Sequence, residues 1–202
     1  MAIFLTADWH LGETRLEIMQ RPFNDPYNQS YRLLSEFNAL VEPHDEVIVV
    51  GDAVSKASNN PEQWLKTIKQ FNGRKTLIRG NHDELFTDEE LKPYFDLIVP
   101  HGEGIYVDAG DLRCFVTHYP TLAKKDSFNI TGHIHGAWKY QLNCLNVGVD
   151  VHHFKPIPLT KVPWFYEAVC KFYDDDVWAA YQESNAEYYG KRGKKGSYYP
   201  PK

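Results

Sequence analysis

The feature that most constrains this chain is a recurrence of short apolar runs, too short for helices, that stop abruptly at side chains able to bind metal or move protons. Residues 2–6 run into Asp8-Trp9-His10, Glu46-Val-Ile-Val-Val50 into Gly51-Asp52, and Lys75-Thr-Leu-Ile-Arg79 into Gly80-Asn81-His82-Asp83. Continuous apolar runs of this length suit strands buried on both faces. Between them, amphipathic spacing predicts two helices. The first covers 31–41, capped by Ser30, with Leu33, Leu34, Phe37, Leu40 and Val41 on one face. The second covers 61–71, opened by Asn60-Pro61, with Trp64, Leu65, Ile68 and Phe71 sharing a face. Pro22 and Pro26 make 13–29 a loop that could border a site. Alternating strands and helices, with each strand ending in a candidate ligand, describe an α/β sheet whose chemistry gathers at its carboxyl edge.

After residue 90 the pattern changes. Residues 97–99, 104–107, 112–117, 128–132 and 144–149 are β-rich and lack long intervening helices, which predicts a meander or second sheet packed on the first. Two of these runs also end in histidine, as Thr117-His118-Tyr119-Pro120 and Gly132-His133-Ile134-His135-Gly136. From residue 161 the chain becomes aromatic and then basic. Tyr166 to Tyr181 reads as helical, Asp174 to Asp176 as a solvated turn, and the end as an exposed tail whose composition would tolerate single-stranded nucleic acid. His152 and His153 read as surface histidines.

Net charge is −5, so no overall positive field gathers nucleic acid or an acidic membrane. Three cysteines without C-x-x-C spacing argue against a disulfide framework and for a reducing, cytoplasmic setting. No apolar stretch approaches the roughly 20 residues of a membrane span.

Taken one at a time, these motifs have plain alternatives: Asn81-His82-Asp83 could be a turn with a helix cap, and Asp8 could open a turn beside an incidental histidine. Taken together, Asp8, His10, Asp52, Asn81, His82, His118, His133 and His135 all lie at or just past strand ends. Carboxylate, imidazole and carboxamide without thiolate suit Mn²⁺, Fe, Co²⁺, Ni²⁺ or Zn²⁺ in an open five- or six-coordinate site. The set exceeds what one ion needs, which points to two ions about 3.5–4 Å apart and to phosphoryl chemistry.

In order and spacing, D-x-H, G-D, G-N-H-D, H and G-H-x-H resemble the calcineurin-like metallophosphoesterases over residues 4 to about 158. The resemblance implies a four-layer α/β/β/α sandwich of two mixed sheets flanked by helices, formed by residues 1–160, with 161–202 as an extension. It implies two divalent ions, Mn²⁺ first among them. Asp8, His10 and His135 would hold one ion, Asn81, His118 and His133 the other, and Asp52 would bridge. His82 would stabilise phosphoryl oxygens or protonate the leaving group, oriented by Asp83. The implied reaction is in-line attack by a metal-bridging hydroxide on a phosphodiester or phosphomonoester, possible substrates including nucleotides. Arg21, Asn81 and Tyr119 are the expected substrate contacts.

Arg21-Pro22-Phe23, His118-Tyr119-Pro120 and Asn146-Val-Gly-Val-Asp150 further resemble small uncapped bacterial and phage phosphoesterases. Glu13 departs from them, standing where that branch often has a histidine. The first motif, Thr6-Ala-Asp8-Trp-His10-Leu-Gly12, also reads like that of the SbcD-type nucleases, which makes a nuclease on DNA or RNA the alternative enzyme. Those nucleases carry further DNA-binding regions for which about 200 residues leave little room. A noncatalytic metal-bound scaffold is the remaining reading. It is disfavoured because every ligand type is retained.

Overall fold

The computed structural model describes residues 1–141 and 143–172. The elements in chain order are β1 (Ile3–Thr6), α1 (Pro26–Asn38), β2 (Glu46–Val49), α2 (Pro61–Thr67), β3 (Arg74–Ile78), α3 (Asp88–Leu91) and β4 (Leu97–Val99). The second half follows as β5 (Gly104–Ala109), β6 (Leu112–Thr117), β7 (Phe128–Thr131), β8 (Tyr140–Gln141), β9 (Cys144–Asn146), β10 (Ile157–Pro158) and α4 (Val162–Phe172). They form two five-stranded mixed sheets flanked by helices, in the orders β10-β1-β2-β3-β4 and β5-β6-β7-β9-β8.

The continuous apolar runs are explained by burial on both faces of the first sheet. Phe4, Val47, Val49 and Leu77 face a core shared with Leu33 and Phe37 of α1 and Trp64 and Leu65 of α2. Their neighbours Leu5, Ile48 and Ile78 face Val116, Ile130 and Leu145 of the second sheet. Trp9, between two candidate ligands, is fully buried, stacked on Phe71 at 4.5 Å and edge-on to Phe37 at 5.5 Å. Anchoring of this kind, worth about 3–5 kcal/mol against alanine, fixes where Asp8 and His10 emerge.

Several boundaries differ from expectation for local reasons. The first helix begins at Pro26, because Pro is at home in the first turn and the Asp25 carboxylate accepts the Asn28 N–H at 2.8 Å. Leu40, past its end, is exposed. α2 gives way after Thr67 to a tighter 3₁₀ turn, Ile68–Gln70. β4 pairs in parallel with β3, so it closes the first sheet instead of opening the second. The second sheet is not a meander, since β6–β7 and β7–β9 are parallel and need crossovers. His152 is buried, its Nε2 facing the Asn146 carbonyl at 2.7 Å and its pKa pushed down to about 4 by burial, which corrects its expected place on the surface. Val162 is fully buried in the second core and Tyr166 meets Phe128 at 5.3 Å, so packing continues past residue 160. The acidic run at 174–176, the end of the expected last helix and the basic tail lie outside the described residues. Among those described, no helix is long and apolar enough to cross a membrane.

Candidate metal centre

The loops that leave the strands hold one another through backbone hydrogen bonds. Asp8 N–H donates to Gly51 O, His10 N–H to Asp52 O and Leu11 N–H to Ala53 O, each at 3.0 Å, so the loop after β1 lies along the loop after β2. Asp8 and His10 do not meet by strand alternation. Both are left-handed, as are Asp52, His133 and His135, with φ between 48° and 73°. This conformation costs a non-glycine residue about 1–2 kcal/mol, and five such positions around one point mark strain concentrated at a functional site. Gly80 is needed for space and not for a positive φ: a Cβ there would overlap Asp52 Oδ1 and come within 2.8 Å of the His118 ring.

Among the described residues, three side-chain groups offer donor atoms within 4.8 Å of one another: Asp8 with His10 and His135, His10 with Asp52 and His82, and Asp52 with His118 and His133. Asp52 stands between the others. Its Oδ1 accepts the His82 N–H at 2.7 Å, while Oδ2 lies 3.6 Å from His10 Nε2 and 3.5 Å from His118 Nε2. Both of these imidazole nitrogens are buried without a hydrogen-bond partner, an arrangement that protein atoms alone leave unsatisfied and a cation would complete. Outer contacts set the tautomers. His118 Nδ1 faces the Val50 carbonyl at 2.7 Å and His135 Nδ1 faces Asp150 Oδ2 at 2.9 Å, which leaves each Nε2 lone pair free for a metal. The donor set fits divalent cations.

The electrostatics point the same way. Burial lifts Asp8 to about 6, with His118 opposing and Asp52 adding to the rise. Burial also disfavours charge on Asp52 and His118, but their mutual attraction prevails. Asp52 is held far below the usual carboxylate range, and His118, drawn also by Asp8, is raised to about 9. His10 is driven well below its ordinary value by burial, against the pull of Asp52. In chelator-treated protein the His118 proton is bound up to about 9 when folded but only up to 6.5 when unfolded. Its stabilisation is therefore complete below 6.5 and lost as pH rises to 9. Thermal unfolding in chelator is expected to show Tm falling across that interval, and Mn²⁺ to remove the fall by replacing the proton. A flat or rising Tm in chelator would contradict this pairing.

Not every expected site residue lies where expected. Arg21 is buried behind the site, bidentate to Asp150 at 2.7 and 2.9 Å and donating to the carbonyls of Asp8 at 2.6 Å and Trp9 at 2.9 Å. Through these bonds it braces the loop after β1, with its guanidinium committed to protein partners. Asp83 does not touch the His82 ring; its carboxylate accepts the N–H groups of Asp52, Ala53 and Gly80 at 2.7–2.9 Å and so shapes both loops. The His82 ring is oriented instead by the Lys56 N–H, which donates to Nδ1 at 3.0 Å. Tyr119 stands at the rim, its hydroxyl 2.8 Å from His101 Nε2 and 3.4 Å from Asn81 Oδ1. Glu13 is buried and accepts from Ser55 Oγ at 2.7 Å, tying the first two loops together.

Among the residues with no role assigned from sequence is Asp150, although its motif was legible there. It links Arg21 to His135, and Asp150→Asn is expected to weaken metal binding by about 10–100-fold, the range for partners of ligating histidines. Calorimetric titration with Mn²⁺ measures this, and unchanged affinity would deny Asp150 the role.

A profile described as calcineurin-like phosphoesterase matches residues 1–188. The uncharacterized protein MJ1445 of Methanocaldococcus jannaschii is 24% identical over 168 residues, covering 78% of this chain and 86% of the relative. The Gene 66 protein of Mycobacterium phage L5 is 31% identical over 80 residues, covering 40% of this chain and 39% of its own. In fold, the chain is similar to the crystal structure of an Aquifex aeolicus protein of unknown function, with a TM-score of 0.65 at 21% identity, covering 81% of this chain and 98% of that one.

Proposed function

The chain belongs to the calcineurin-like phosphoesterase family, and from that premise we propose that it is a dinuclear metal-dependent hydrolase of an accessible phosphodiester or phosphomonoester. The observation that carries the reading is the single oxygen of Asp52 set between two buried, unpartnered imidazole nitrogens. In this reading Asp8, His10 and His135 hold one divalent ion, Asn81, His118 and His133 the other, and Asp52 serves both. Mn²⁺ is the first choice, with Fe, Co, Ni and Zn as further candidates. When bound, the two ions supply positive charge to the phosphoryl oxygens and lower the pKa of water from 15.7 to roughly 7.

The protein's own contribution is clearest at His82. Because Nδ1 accepts a backbone N–H, the proton of the neutral ring sits on Nε2, and burial keeps the ring neutral by lowering its pKa. A neutral Nε2–H donates a hydrogen bond well and surrenders its proton poorly. His82 therefore stabilises charge on a phosphoryl oxygen, and of the two roles implied by resemblance this one fits its contacts. Tyr119, beside Asn81, remains the substrate contact at the rim. The free, buried thiols of Cys114 and Cys144 support a reducing, cytoplasmic setting.

The test is hydrolysis of bis(p-nitrophenyl) phosphate and p-nitrophenyl phosphate with each of the five metals. Metal-dependent turnover is expected, and none with any metal would overturn the proposal. Single- and double-stranded DNA and RNA in the same assay separate a small-ester hydrolase, which leaves polymers intact, from a nuclease.

A further inference from the structure

Beside His135 the surface opens into a cleft of about 590 Å³, between the loop carrying Ile18 to Pro22 and the turn at Ile134 to Ala137. We propose that this cleft binds an uncharged ring, aryl or nucleoside-like, carried by the phosphoester, an inference that rests on the phosphoesterase reading and names its substrate class.

Three observations carry it. First, six of the lining residues are apolar, Ile18, Met19, Pro22, Ile134, Ala137 and Phe154, and Gln20, exposed in the same lining, is polar but uncharged. Second, its charged side chains are already partnered: Arg21 and Asp150 face each other in a buried bidentate pair, and Asp150 also holds His135 Nδ1 at 2.9 Å, so none stands free for an ionic substituent. Third, the cleft shares His135 with the candidate metal centre, where that ring stands with Asp8 and His10. Its aromatic wall is held in place, since Phe154 meets Phe23 edge-on at 5.0 Å and lies under the Arg21 guanidinium at 5.8 Å. The volume falls within the roughly 300–1,000 Å³ of small-molecule sites.

The opposite side of the centre differs. There His82 is flanked by two ion pairs, Arg15 on Glu13 at 3.1 Å and Lys56 on Glu84 at 3.6 Å, and no apolar wall lies beside it in these contacts. An ester carrying one ring would therefore lie with the ring toward His135 and its phosphoryl oxygens toward the His82 donor.

The experiment compares two diesters with the same leaving group and charge, bis(p-nitrophenyl) phosphate and methyl p-nitrophenyl phosphate, in Mn²⁺-loaded protein. The aryl diester is expected to be favoured in kcat/KM by about tenfold, the scale on which apolar pockets discriminate. Ala137→Trp, which fills the cleft, and Ile18→Asp, which charges its mouth, should each bring that ratio toward one. A ratio near one in the wild type, or a ratio unmoved by both variants, overturns the cleft. Calorimetric binding of phenylphosphonate against methylphosphonate gives a readout without turnover. If neither diester is hydrolysed but phenylphosphonate is preferred and the preference is lost in Ala137→Trp, the cleft stands and the phosphoesterase reading falls. Equal binding of the two phosphonates overturns the cleft.

Discussion

Replacing Asp52 with asparagine is expected to lower kcat by about 10³-fold, beyond the roughly 100-fold that marks the upper end for partners of ligands. The reason is its position. Oδ2 lies within 3.6 Å of the His10 and His118 imidazole nitrogens, and Oδ1 accepts the His82 N–H, so one carboxylate connects both candidate ligand groups with His82. An amide keeps the shape and removes the charge. The variant should bind fewer than two equivalents of Mn²⁺, counted by elemental analysis after gel filtration. It should also lose the attraction that keeps His118 protonated to about 9 without metal, so the fall of Tm between pH 6.5 and 9 should flatten. Full stoichiometry with near-normal kcat would remove Asp52 from the centre.

The second large effect belongs to His82→Ala, expected to lower kcat by about 10²–10³-fold, the magnitude for loss of one preorganised donor. Metal stoichiometry should stay at the wild-type value, because the ring is aimed by Lys56 and not by the ligand set. His82→Gln, which restores a donor without a titratable group, should recover part of the loss. The decisive measurement is how the defect varies with the leaving group. A donor to non-bridging oxygens should be missed about equally for nitrophenyl and alkyl esters. A defect that grows as the leaving group becomes more basic would assign His82 to proton delivery and overturn the tautomer argument.

The two roles were distinguishable only after folding. The motif Gly80-Asn81-His82-Asp83 is legible in the sequence as chemistry delivered by a strand, and so are the D-x-H and G-H-x-H pairs, because residue type and close spacing state what each segment can bind. Asp83 shows the limit. The resemblance implied that it orients its neighbour, whereas its carboxylate reaches back to amides of the second loop. Arg21 shows the same limit at longer range. Its partner lies 129 residues away, and no local pattern announces that a loop arginine is buried against Asp150. His152 was misjudged because a turn carries its ring onto the Asn146 carbonyl and against Phe165 of α4, a placement no local pattern states.

The order of strands and helices, the double-faced burial of the first sheet and the ligand types follow from the sequence itself, because periodicity and residue chemistry are properties of a segment. The second sheet's crossovers, the left-handed turns at five candidate ligand positions, the backbone hydrogen bond to His82 Nδ1 and the cleft beside His135 were decided by the tertiary structure. Burial, hydrogen-bond partnership and enclosed space are relations between segments, and they come into existence only when loops from separate strands are brought against one another.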